Sequence, residues 1–268
     1  MEEKTLNKPF RSSLLALVLL QASCGTLPNR IVTFKPGSCQ NMTEENLLAS
    51  ADELGSSSTT ETLQCAMTTA RSANTKALLM SPLPARIALH LAERQPPGTD
   101  REALASEGVS LAERAITSGG EGDAATHYYL AANLGLAIND HPVQAAENIQ
   151  RLESELTRAV QLSKGIDDGG PLRLLGMLYL KAPPWPTGIG DGDKALSYLK
   201  EAVSSYPGHP LNHLFYAEAL FEVDDQKPEA QKEIKKGTQL LNEGQWGFNR
   251  VVWQKEFADV VREISGGR

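Results

Sequence analysis

Aromatic residues make up only 6% of the chain, cysteines number three, and acidic side chains outnumber basic ones, 33 Asp and Glu against 26 Lys and Arg. Each shortage excludes something. A formal net charge of −7 with no clustered Lys and Arg argues against nucleic acid as a partner, because phosphate binding needs basic groups gathered on one face. The most basic stretch, KEIKKG from Lys232 to Gly237, is flanked by acids and reads as a solvated helix face. No apolar run reaches the ~20 residues that span a bilayer. Three cysteines are too few to replace a hydrophobic core with disulfides, and 268 residues can bury one sizeable core without them. Neither a G-x-S-x-G nor a His-Glu-x-x-His arrangement occurs, so no catalytic residue, metal or cofactor is assigned.

The N-terminus is present as a distinct object. Lys4, Lys8 and Arg11 precede the apolar run LLALVLL (Leu14 to Leu20), and small residues follow. That order makes residues 1–23 a secretory signal peptide. Leu20-Gln21-Ala22-Ser23-Cys24 resembles a bacterial lipobox, in which the cysteine is acylated and becomes the new N-terminus. The resemblance implies lipidation at Cys24, a lipid-anchored tether over 24–43 and a body facing the periplasm. Gly25, where an Asp would favour inner-membrane retention, points to the outer membrane. Gln21 stands where that pattern has an apolar residue, so a secreted soluble product is the alternative. With Cys24 lipidated, Cys39 and Cys65 remain, an even number in an oxidising compartment. A bridge between them would contribute up to ~3.5 kcal/mol in the chain-entropy model; two unpaired thiols are the other reading.

From Thr43-Glu44-Glu45, an N-cap followed by acids, to the C-terminus, apolar and small residues recur at helical spacing and strand alternation is almost absent. Residues 44–268 therefore read as one α-helical domain. Gly, Pro and Asp clusters punctuate it at intervals of ~15–20 residues, which calls for a search for repeats. Leu175, Gly176 and Tyr179, followed by Ala195, Leu199, Ala202 and Pro207, match the tetratricopeptide repeat (TPR) pattern of a helix pair. Tyr216, Ala217 and Leu220 with Ala230, Ile234 and Gly237 repeat it downstream. Leu130, Ala131 and Leu134, with a second helix over Val143 to Ser163, repeat it upstream, as does Ala85 to Arg94 with Gly108, Ala112 and Ala115. The fold expected is all-α: a TPR-like right-handed solenoid of antiparallel helix pairs. Trp246, Phe248, Trp253, Phe257, Val260, Val261 and Ile264 make its last helix a C-terminal cap.

HYYLAANLG (His127 to Gly135), GGPLRLLGMLYLKAPPWP (Gly169 to Pro186) and HLFYAEALFE (His213 to Glu222) resemble exported bacterial TPR-like proteins, among them the T-component lipoproteins of TRAP transporters. They distantly resemble the eukaryotic regulators of microtubule dynamics. The transporter resemblance implies a helical bundle that meets a periplasmic solute-binding protein, and no catalytic residues.

Other chemistry reads weakly. GIGDGD (Gly188 to Asp193) lacks the Gly-Lys-Ser/Thr of a phosphate loop, and Asp191 and Asp193 lack the further oxygens of a calcium loop. One of the two aspartates caps the helix that begins near Lys194. His209 and His213 have a zinc-compatible spacing but no third ligand. In the repeat frame the first helix of each pair lines a concave groove, with Tyr128, Arg173, Met177, Lys181, Glu218 and Glu222 facing a protein or peptide partner and Trp185 at its edge. The alternative is a small apolar ligand passed to a transporter.

Overall fold

The computed structural model describes residues 27, 30–35, 37, 39 and 42–266. The expected signal peptide and the lipidation site Cys24 lie outside the described residues. Among the described residues the chain is all-helical and has no strands, and no helix is long and apolar enough to cross a membrane. Three short helices, α1 (Glu44–Ala49), α2 (Thr60–Arg71) and α3 (Lys76–Leu79), lead into α4 (Leu83–Glu93), α5 (Thr99–Ala115), α6 (Ala124–Ile138), α7 (Pro142–Leu162), α8 (Gly170–Lys181), α9 (Gly192–Ser205), α10 (Pro210–Asp224), α11 (Lys227–Glu243) and α12 (Asn249–Gly266).

The starts of these helices follow local chemistry. Thr43, Thr59, Thr75, Asp123 and Asp191 each accept a hydrogen bond from a first-turn amide of the helix they precede, satisfying a donor with no partner inside the helix. Helices α4, α7, α8, α10 and α11 carry Pro at their first or second position, where the missing N–H costs nothing. Asp191 caps α9 as expected, accepting from Lys194 N at 3.0 Å. The loop before it closes on itself, with Gly190 N donating to Pro183 O at 2.8 Å and Asp191 N to Tyr179 O at 3.0 Å. Its Gly and Asp residues build a turn between two packed helices.

Each helix from α4 to α11 packs on the next, including α4 on α5, α6 on α7, α8 on α9 and α10 on α11, and α5 packs on α6 just as closely. Gly176 shows why small residues recur there: a Cβ at this position would lie 2.6 Å from Leu199 Cγ, so only glycine lets α8 and α9 come this close. The contacts between non-consecutive helices are one-sided. α4 touches α6, α6 touches α8, α8 touches α10 and α10 touches α12, whereas no contact of similar extent joins α5 to α7, α7 to α9 or α9 to α11. The even-numbered helices thus form one continuous inner row and the odd-numbered ones an outer row. The largest core, including Leu63, Met67, Leu78, Ile87, Leu91, Leu104, Leu130 and Leu134, fills the N-terminal half. Smaller clusters lie around Leu175 and Tyr179, around Leu220 and Phe221, and around Leu214 and Phe257. Each such buried Leu is worth roughly 2–5 kcal/mol against Ala.

The described part of the 24–43 segment, expected as a lipid-anchored tether, packs on this body. Leu27, Val32, Phe34 and Met42 pack on the N-terminal core, Arg71 stacks over Phe34 at 4.8 Å, and a disulfide joins Cys39 to Cys65 of α2. Alternating apolar side chains at Val32 and Phe34 give the segment a face to bury.

Between the central and C-terminal clusters the interior is polar. His209 is buried against Trp246 and Trp253, with ring centroids at 5.4 and 5.2 Å, and its Nδ1 has no hydrogen-bond partner. Burial first, and then the nearby Arg173 cation, push its pKa down to about 3. The unfolded chain takes up that proton near pH 6.5 and the folded chain does not, so the site costs stability as the pH falls from 6.5 towards 3. His209→Phe is expected to lose less stability than the parent between pH 6.5 and 4 in urea unfolding. Equal losses in the two proteins would contradict this.

Candidate functional site

Along the inner row lies a cavity of about 540 Å³. Leu89, His90 and Glu93 of α4, Tyr128, Tyr129 and Leu136 of α6, and Leu174 and Met177 of α8 line it, with Leu152 and Leu156 of α7 behind. The remaining wall is α12, through Asn249, Trp253 and Glu256. These three residues recur at helical spacing on one flank, while Phe257 and Ile264 on another are buried against α10 and α11. The last helix is therefore more than the expected cap: one flank seals the final hairpin and the other closes the hollow.

The chain turns into α12 through a contact with its own beginning. Phe248 N donates to Ser56 O at 3.0 Å, and the Arg94 guanidinium stacks on the Phe248 ring at 5.1 Å. Arg94 Nη2 also donates to the carbonyls of Gly55, Ser56 and Ser58 at 3.4, 3.2 and 2.8 Å. Gly247, at φ 53°, presses on Ser56 O so closely that no Cβ fits.

A second device aims polar groups at the cavity. Asp167, Asp168 and Gly169 all have positive φ (50°, 47° and 89°), a left-handed turn that Asp and Gly tolerate better than other residues. Arg173 holds it from below. Its Nη2 donates to Asp167 Oδ2 at 2.7 Å, its Nη1 to Asn212 Oδ1 at 2.8 Å, and both reach the Asp167 carbonyl at 3.3–3.4 Å. Asn212 Nδ2 adds a bond to Asp168 O at 3.0 Å. Tyr128 donates to Asp167 Oδ2 at 2.7 Å. Burial raises the Asp167 pKa, but Arg173, His209 and the Tyr128 hydroxyl outweigh it and hold the carboxyl below its ordinary value. The carboxylate thus stays ionised at the cavity wall.

The same register recurs along the row. The fourth residues of α6, α8 and α10 are His127, Arg173 and His213. Each donates to the carbonyl six residues earlier: His127 Nε2 to Glu121 O at 2.9 Å, Arg173 to Asp167 O, and His213 Nε2 to Pro207 O at 2.9 Å. Each also meets a carboxylate, at Glu155 (2.6 Å), Asp167 (2.7 Å) and Glu233 (2.6 Å). His213 is therefore occupied, His209 faces two indoles, and the pair does not converge on a metal position.

The residues expected in the groove divide into three groups. Tyr128 and Met177 line the cavity, and Arg173 lies beneath it with only 4% of its side chain exposed. Lys181, Glu218 and Glu222 pair with one another, with both Lys181–carboxylate distances at 2.5 Å. Arg173 is bonded to Asp167, and Lys181 bridges Glu218 and Glu222, one cation for two carboxylates, so these groove charges are engaged within the chain. Glu218, Glu222 and Glu263 bring carboxylate oxygens within 4.8 Å of one another, and Lys181 already supplies the positive charge to two of them. Trp185 is 86% exposed in the α8–α9 loop and does not border the cavity. Asp167, Asn249 and Glu256 are site residues that the repeat frame misses. The Asp-Asp-Gly triplet before Pro171 was a turn signal for the first, but no local signal marks the other two.

No protein-family model matches this chain, and no curated protein matches it.

Arg173 and Lys181 should respond differently to loss of charge. Arg173→Met removes the buried cation that binds Asp167 and Asn212, leaving the Asp167 carboxylate to Tyr128 alone, and is expected to cost roughly 2–3 kcal/mol in urea unfolding. Lys181→Met removes an ion pair that is 47% exposed on the lysine side, and is expected to cost under about 1 kcal/mol. Equal costs would contradict the buried-clamp assignment.

Proposed function

We propose that this chain is a non-catalytic, TPR-like binding protein whose inner hollow holds a small, largely apolar ligand. One observation carries the reading: α12 lies against the inner row and leaves a cavity of about 540 Å³, within the range of small-molecule sites. A peptide groove of the kind that open helical repeats offer would need that helix displaced. The one-sided contacts among even-numbered helices support the solenoid, with α12 folded into its concavity. The site also suits binding better than chemistry. Most of its ionisable groups are bonded within the wall, as in Tyr128–Asp167–Arg173 and His90–Glu93, and among the described lining residues no nucleophile is placed beside a base.

The N-terminal pattern ending at Cys24 supports a lipid-anchored place in the bacterial envelope, and the resemblance to TRAP T-component proteins supports a role as an accessory periplasmic component of a transporter. A second reading, docking of a protein partner such as a transporter solute-binding protein, is favoured by Trp185. An indole left exposed at the tip of a hydrogen-bonded loop is a common anchor at protein interfaces. The two readings are compatible, since loop and cavity are separate.

Native mass spectrometry of freshly purified protein tests the ligand reading. A retained small molecule is expected in the parent and its loss in Ala132→Trp, which fills the cavity from α6. A ligand-free parent, or equal retention in the variant, would contradict the reading.

A further inference from the structure

We infer that the cavity selects an amphiphilic organic cation, an alkylammonium-like ligand whose charge is met by Glu256 and whose chain lies along the leucine-lined wall. This inference rests on the ligand-binding reading above.

Three carboxylates border the cavity: Glu93 on α4, Asp167 in the turn before α8, and Glu256 on α12. Asp167 is matched within the wall by Arg173 at 2.7 Å, and Glu93 is hydrogen-bonded to His90 at 3.0 Å. Glu256 forms no hydrogen bond or ion pair among the described residues. It is half-buried and feels Glu93 on α4 and Glu218 on α10, with Asp259 of its own helix adding to the repulsion and Arg101 on α5 partly relieving it. Burial first, then these like charges, push its carboxyl up to about 7. Among the described residues no cation forms an ion pair with it, Arg101 acting only from a distance.

The neighbours of Glu256 narrow the class. Trp253, one turn earlier on the same helix, also borders the cavity and offers an indole face to a cation. Leu89, Leu136, Leu174 and Met177 suit a hydrocarbon chain. An anionic ligand would meet three carboxylates. A sugar would leave its hydroxyls against leucine side chains, an unfavourable exchange for water.

The test compares probes that differ only in the headgroup. Octylammonium, 1-octanol and octanoate are titrated calorimetrically into the full chain at pH 8, where Glu256 is mostly ionised. Octylammonium is expected to bind about tenfold or more tighter than octanol, from one partly desolvated ion pair and a cation–indole contact, with octanoate weakest. Glu256→Gln, checked for folding by circular dichroism, is expected to bring the octylammonium and octanol affinities together. For the parent, the octylammonium preference is expected to shrink at pH 6, where protonation removes the Glu256 charge. Octanol binding as tightly as octylammonium, or a cation preference that survives Glu256→Gln, would overturn this inference and leave the cavity reading standing. Absence of binding by all three probes would overturn both.

Discussion

Arg94 and Phe248 make the contact on which the arrangement of the inner face depends. The guanidinium gathers three carbonyls of the 55–58 turn, stacks on the Phe248 ring, and so holds the chain between α11 and α12 against a segment far away in sequence. Hairpin arrays usually leave the concave side open. Here the last helix starts from that anchored point and lies along the hollow, so Trp253 and Glu256 become wall residues of the cavity. Without the anchor, α12 would still bury Phe257 and Ile264 on the last hairpin, but nothing would fix its other flank.

The inner helices share one further device. At three successive junctions a basic side chain, His127, Arg173 or His213, sits at the fourth position of an inner helix and binds the carbonyl six residues back. These carbonyls belong to the exposed connecting turns at Glu121, Asp167 and Pro207, and the side chain ties each turn to the helix that follows it. A buried cation adds little net stability compared with an apolar residue of the same shape, but it is exacting about geometry. Its effect is to set the angle at which one hairpin meets the next. At the middle junction it does more, because the turn clamped by Arg173 presents Asp167 to the cavity.

Helix starts were legible in the sequence because they are local: Thr43, Asp191 and Pro210 act on backbone groups a few residues away. The pairing of helices was legible through Gly176 and Leu199, whose sizes must complement each other across one interface. Arg173 was misleading, since an arginine within an apolar run reads as a charge reaching for solvent when its partners, Asp167 and Asn212, are unknown. The path of α12 was not legible at all. Its sequence carries an apolar flank for a cap and a mixed flank that looks like exposed surface, and the second flank borders the cavity.

Amide hydrogen exchange at Phe248, read residue by residue, tests this closure most directly. The account predicts strong protection, because the Phe248 N–H donates to Ser56 O under the Arg94 side chain, and predicts that Arg94→Ala removes that protection while amides inside α8 and α10 stay slow. Exchange of the Phe248 amide at the rate of an unstructured peptide in the parent protein would contradict it.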